Sequence, residues 1–119
     1  MEAKAKRTLV KSAPELWELA DDLARMEAWM AGLVGSQERL RVEVTDREPE
    51  RILAWRCASH GNGTAHRHAR IAIELAGSGF GTSVSITAQH CADTVAAMRA
   101  LEQLLDELGS PKRRPFTRA

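Results

Sequence analysis

Cysteine is scarce in this chain of 119 residues: only Cys57 and Cys91 are present. Their separation fits neither a disulfide framework nor the ligand spacing of a zinc site, so both are expected as reduced thiols. Long apolar runs are missing as well. Nothing approaches the roughly 20 residues that cross a bilayer, and residues 1–11 lack the apolar stretch of a secretory signal. No membrane insertion and a cytosolic location are therefore expected. Internal repeats and low-complexity tracts are also absent, which excludes solenoids and arrays. What is present is ordinary for a folded domain. Hydrophobic residues at 44% and charged residues at 28% make disorder, collagen and coiled coil poor fits. The length suits a single core, expected over residues 4–109 with a basic flexible tail at 110–119.

The formal charge of +1 conceals an uneven distribution. Lys4, Lys6, Arg7 and Lys11 crowd the front, and Lys112, Arg113, Arg114 and Arg118 the back. Between Ser12 and Ser110 nine bases face fifteen acids, a net of −6. A body of that sign repels phosphate backbones, so no nucleic-acid partner is expected.

Local patterning divides the chain into elements. Arg7 to Lys11 reads as a strand, and Ser12-Ala13-Pro14-Glu15 as a helix start. The serine can accept from the backbone three residues on while the glutamate reaches back, and proline is tolerated in a first turn. Leu16, Leu19, Ala20 and Leu23 recur at helical spacing, with Asp21 placed to pair with Arg25. Met26, Trp29, Met30 and Leu33 continue the stripe until Gly32 and Gly35, giving two short helices or one bent one. From Glu38 the period becomes two. Leu40, Val42 and Val44 alternate with charged residues up to a turn at Asp46-Arg47-Glu48-Pro49, and Leu53, Trp55 and Cys57 share one face. A turn at His60-Gly61-Asn62-Gly63 leads to Ala69, Ile71, Ile73 and Leu75. Gly77-Ser78-Gly79 then turns the chain into Phe80 to His90, where Thr82, Val84, Ile86, Ala88 and His90 lie on one side and Ser83, Ser85, Thr87 and Gln89 on the other. An antiparallel meander with one apolar face needs a cover. Asp93 to Leu108 supplies it, through Ala97, Met98, Leu101, Leu104, Leu105 and Leu108, and Gly109-Ser110-Pro111 stops it.

This order is strand, helices, four-stranded meander and long C-terminal helix. In it, Ser12-Ala13-Pro14-Glu15-Leu16-Trp17, Pro49 to Trp55 and Gly79-Phe80-Gly81-Thr82-Ser83-Val84 resemble phrases of the START-related SRPBCC superfamily, in particular its polyketide cyclase/dehydrase-like small bacterial proteins. The resemblance implies an α+β helix-grip fold, an antiparallel sheet of about five strands wrapped around the C-terminal helix. The family usually adds a hairpin before the meander. Here only Ala31 to Gln37 lies between Met30 and the first meander strand, which implies an open sheet edge and, through it, a homodimer.

The resemblance further implies a small hydrophobic ligand (lipid, polyketide or aromatic metabolite) held between sheet and helix. By strand parity its walls are Val42, Val44, Trp55, Cys57, Ile71, Ile73, Val84, Ile86 and His90, faced by Met98, Leu101 and Leu105. In a small domain the same side chains also serve as core filling. His90 and Cys57 are the polar or reactive groups expected on this face, the candidates for contacting a polar group or moving a proton. Cys91 points away from His90 by parity, so no nucleophile and base pair is expected. His66 and His68 have metal-compatible spacing but no third ligand, so no metal and no cofactor is expected. Gly77 to Gly81 leads into a strand and offers no helix N-terminus to a phosphate. Trp17 and Trp29 are expected as anchors between helix and sheet. Binding without catalysis is the first expectation. A polyketide cyclase or dehydratase, and a protein-interaction or regulatory module working through the open edge or the apolar groove, are the alternatives.

Overall fold

The computed structural model describes residues 2–34, 41–57, 69–79, 81–90 and 94–109. The elements run β1 (Glu2–Leu9), α1 (Ala13–Ala20), α2 (Leu23–Val34), β2 (Val42–Glu48), β3 (Ile52–Cys57), β4 (Arg70–Ser78), β5 (Gly81–Gln89) and α3 (Thr94–Gly109). The five strands form one antiparallel sheet in the order β1-β5-β4-β3-β2. The fold is α+β, an open sheet with the C-terminal helix packed on one face, as the sequence implies. The expected turn at His60 to Gly63, together with Leu40, His66, His68, Phe80, Cys91 and the basic tail, lies outside the described residues.

The capping box forms as the sequence predicts. The Glu15 amide donates to Ser12 Oγ at 3.3 Å, and the Ser12 amide donates to Glu15 Oε1 at 3.4 Å. Two helices follow, separated at Asp21-Asp22. The Asp21 amide closes α1 on the Trp17 carbonyl, and Asp22 Oδ1 accepts from the Ala24 amide at 2.9 Å to open α2. This break defeats the expected Asp21–Arg25 pair, because the two residues no longer share a helix. Asp21 instead pairs with Arg47 at 2.9 Å, and Arg25 with Asp22 at 3.5 Å. Nor does Gly32 end the second helix, which continues to Val34.

Two strand limits also move. The first strand begins at Glu2 and ends at Leu9, so the basic lead is itself β1. Its inward positions include Ala3 and Ala5, too small to stand out as a hydrophobic alternation between lysines. In β2 a bulge at Thr45 separates the Val44–Trp55 pair from the Asp46–Ala54 pair. The extra residue carries pairing on through Glu48, where the sequence predicts a turn. The turn itself falls on Pro49 to Arg51, with Glu50 at φ 65° and the Arg51 amide donating to the Glu48 carbonyl.

The inner face of the sheet is covered by α2 and α3 side by side, where the sequence predicts α3 as the cover with Trp17 and Trp29 anchoring helix to sheet. α3 lies over β1 and β5, while α2 lies over β2 and β3 and also packs on α3. One cluster joins them, with Leu16, Met26, Met30, Trp55, Ile71, Ile73, Val84, Ile86, Leu101, Leu104, Leu105 and Leu108 at the centre, each almost wholly removed from water. Trp29 is buried within it and Trp17 half-buried against it, so both anchor helices as expected.

The grip is fastened at the far ends of the chain. Arg7 donates from Nη1 to Asp106 Oδ1 and from Nη2 to Glu102 Oε1, both at 2.7 Å, which ties β1 to α3. The hydrogen bond to Asp106 raises the guanidinium pKa above its ordinary value against a desolvation that lowers it, and the charges of Asp106 and Glu102 add to the rise. Lys11 Nζ donates to the Leu108 carbonyl at 2.9 Å, a cation at a helix C-terminus. Thr82 Oγ1 donates to the Lys11 carbonyl at 2.8 Å. Beside them β5 starts at Gly81, where a Cβ would stand 2.1 Å from the Leu9 carbonyl oxygen.

That overlap is with backbone, so no rotamer change relieves it. Gly81→Ala is expected to destabilise the fold by about 3 kcal/mol or more. Gly32 has nothing within 4 Å of a built Cβ and sits inside a helix. Gly32→Ala is expected to stabilise by about 0.5–1 kcal/mol. Urea midpoints of the two variants check both signs; similar midpoints would contradict the close approach at Gly81.

Candidate functional site

The predicted wall residues come together, with one exception. Trp55 and Cys57 on β3, Ile71 and Ile73 on β4, Val84 and Ile86 on β5, and Leu101 and Leu105 on α3 are all buried in the single cluster. Val42 and Val44 on β2 and Met98 on α3 pack against it half-buried. His90 is the exception. It lies one residue past β5 with φ 60°, and the turn of the backbone leaves it exposed rather than on the inner face. Strand parity applies only while the strand lasts, and β5 ends at Gln89.

Removing His90 changes the chemistry available inside. Among the described residues no Asp, Glu, Lys, Arg or His is buried, and Thr82 has spent its hydroxyl on the Lys11 carbonyl. Cys57 is a buried free thiol, which behaves as a small apolar group. The polar atom left over is one the sequence offers only as part of an apolar wall. Trp55 Nε1 is wholly buried and has no acceptor among the described residues, an N–H whose lost hydration costs about 1–3 kcal/mol.

A second tryptophan stands beside it. The Trp29 and Trp55 rings are 5.9 Å apart between centroids and tilted by 31°. Their N–H groups have opposite fates, for Trp29 Nε1 donates to Glu107 Oε1 at 2.9 Å. Periodicity predicts Trp29 as an anchor but gives no sign of a partner 78 residues away, because Glu107 belongs to the polar side of α3.

Trp29 and Glu107 also line a cleft of about 200 Å³ between α2 and α3, with Ala28, Gly32, Ala100 and Gln103. Its cause is local. Where the helices approach, Ala28, Gly32 and Ala100 are too small to fill the space between them. Trp29 is thus common to two environments: it walls the cleft on one side and stacks against the ring bearing the orphan N–H on the other. No group of three or more His, Cys, Asp or Glu side chains among the described residues is arranged to hold a metal ion.

No family model matches the chain, and no curated protein matches it by sequence. Solved structures do match in shape. The solution structure of the Aha1 dimer from Colwellia psychrerythraea superposes with a TM-score of 0.69 at 17% identity, over 95% of this chain and 99% of that one. A solution structure from Cytophaga hutchinsonii gives 0.66 at 13% identity, over 92% and 91%. The crystal structure of CalU16 from Micromonospora echinospora gives 0.64 at 18% identity, over 89% and 70%. The chain therefore shares the fold of these proteins, the helix-grip arrangement that its sequence resembles.

Proposed function

We propose that this chain binds a small, mostly apolar molecule carrying one hydrogen-bond acceptor, held at the seam between α2, α3 and the sheet. The observation that carries this is the buried Trp55 Nε1, unpartnered among the described residues. A native interior rarely leaves such a donor empty, and a ligand carbonyl or ether oxygen would satisfy it. Ile71, Ile73, Val84, Ile86, Leu101 and Leu105 are packed too tightly to make room, and serve as the floor. Room comes from the half-buried Val42, Val44 and Met98 and from the cleft lined by Trp29. Turning Trp29 away from Glu107 joins the cleft to the Trp55 N–H. Lipids, polyketides and aromatic metabolites all offer the required mixture. A cyclase or dehydratase would need several converging ionisable groups, and the described inner face has none, so binding is favoured over catalysis.

We also propose that two copies pair through the free edge of β1. That strand is regular over eight residues and, among the described residues, pairs on one side only. The other edge strand, β2, carries the bulge at Thr45, a device that opposes edge pairing. The Colwellia protein of the same fold is a dimer. No described helix is long and apolar enough to cross a membrane, and a cytosolic setting is proposed with reduced thiols. Sedimentation velocity at micromolar concentration is expected to show a species of twice 13.1 kDa, and a monomer alone would refute the pairing.

Trp55→Phe removes the orphan donor along with part of the ring, two effects that oppose. Trp29→Phe also loses a hydrogen bond to a carboxylate. Chemical denaturation is therefore expected to show Trp29→Phe as the more costly by about 1–3 kcal/mol. Equal costs would mean that Trp55 Nε1 has a partner after all.

Ligand chemistry is tested with acetylnaphthalene against ethylnaphthalene, near-equal in size but differing in the acceptor. Quenching of tryptophan emission is expected to give the acetyl compound an advantage of about 5- to 30-fold, one hydrogen bond to a buried donor. Trp55→Phe is expected to erase that advantage. Equal affinities in the unaltered protein, or an advantage that survives the substitution, would exclude Trp55 as the recognition group.

A further inference from the structure

The face of the sheet turned away from the helices carries a second hollow, unrelated to the seam. It measures about 430 Å³, within the range of small-molecule sites. Its origin is a step in side-chain length across three neighbouring strands. The outer row of β5 is short, with Ser85 and Thr87, while β1 beside it presents Lys4 and Lys6 and β4 on the other side presents Glu74. Short side chains between long ones make a trough. Register aligns the walls: Lys4 stands opposite Thr87, Lys6 opposite Ser85, and Ser85 opposite Glu74.

The charges lining this trough are unspent. Elsewhere on the surface Arg7, Arg47, Arg51, Arg56 and Arg70 all reach carboxylates within 3 Å. Among the described residues Lys4, Lys6, Glu74, Ser85 and Thr87 have no side-chain hydrogen bond or ion pair, although two cations and a carboxylate share one hollow. Two lysines on one strand face, their backbone positions about 7 Å apart along β1, and two hydroxyls on the floor form a set of donors for a three-oxygen anion. The single carboxylate stands across two strand spacings, about 10 Å from the lysine row. It asks for a donor at the other end of the same ligand.

We propose that this trough binds a small polyol phosphate, its phosphate between Lys4 and Lys6 over the Ser85 and Thr87 hydroxyls and a hydroxyl donating to Glu74. A dianion uses both lysines where a carboxylate would use one, and the ligand length matches the width of the trough. The site is independent of the seam, because every group named lies on the opposite face of the sheet. The charges are exposed to solvent, so binding is weak and falls with added salt.

The test is titration of the whole chain with glycerol 3-phosphate, followed by amide chemical shifts, with inorganic phosphate and glycerol titrated separately. Saturable shifts are expected on β1, β4 and β5, with glycerol 3-phosphate binding several-fold tighter than phosphate and glycerol giving none. Lys4→Ala with Lys6→Ala is expected to weaken binding by about tenfold or more, in keeping with the loss of two charge-assisted contacts. Glu74→Gln is expected to reduce the advantage over inorganic phosphate. All three positions are exposed, and the unshifted remainder of the spectrum reports that the variants fold. No saturable shift, shifts confined to α2 and α3, or equal binding of the two phosphates would overturn the proposal.

Discussion

Two helices of different origin share the apolar face of one sheet, and everything notable about the interior follows from the line where they meet. α3 is long enough to cover β1 and β5 but leaves β2 and β3 to α2, which enters from the other end of the chain. Small residues at the boundary keep the helices from closing completely. Two tryptophans fill the space beneath, one bound to a carboxylate on α3 and one whose N–H meets no acceptor among the described residues. Among the described residues, a cleft and a buried donor thus lie on either side of one tryptophan, Trp29.

Local rules made much of this legible from the residues. The Ser12–Glu15 reciprocity, the period-two alternation of Ala69 to Leu75 and of Thr82 to Ala88, and the stripe from Ala97 to Leu108 each state their own element, and each is found where its pattern puts it. The wall residues followed, since parity along a regular strand is geometry. What failed was irregular. A single additional residue at Thr45 keeps β2 paired through a polar stretch that reads as a turn, and a left-handed residue at His90 carries an imidazole out of the row to which counting assigns it. Alanines at Ala3 and Ala5 hide a strand because inwardness there is a matter of fit under α3 and not of hydrophobic bulk.

The site was legible only in part for a different reason. Trp55 belongs to the predicted wall, yet nothing in its neighbours along the chain reveals that its N–H lacks an acceptor, since satisfaction is a property of the finished packing. Trp29 and Glu107 meet across most of the chain length. The trough on the opposite face depends on side-chain length in three strands at once, of which only the hydroxyl row is visible in sequence. Pairings across long separations set both features, and one sequence read by itself does not display them.

Those long separations also bear on how the molecule is made. β1 is made well before its hydrogen-bonding partner β5, and the arginine within it waits for carboxylates on α3. Until β5 and α3 have emerged, β1 is an orphaned ribbon without these partners. Such late closure slows folding and prolongs the interval in which a nascent chain can meet the wrong neighbour.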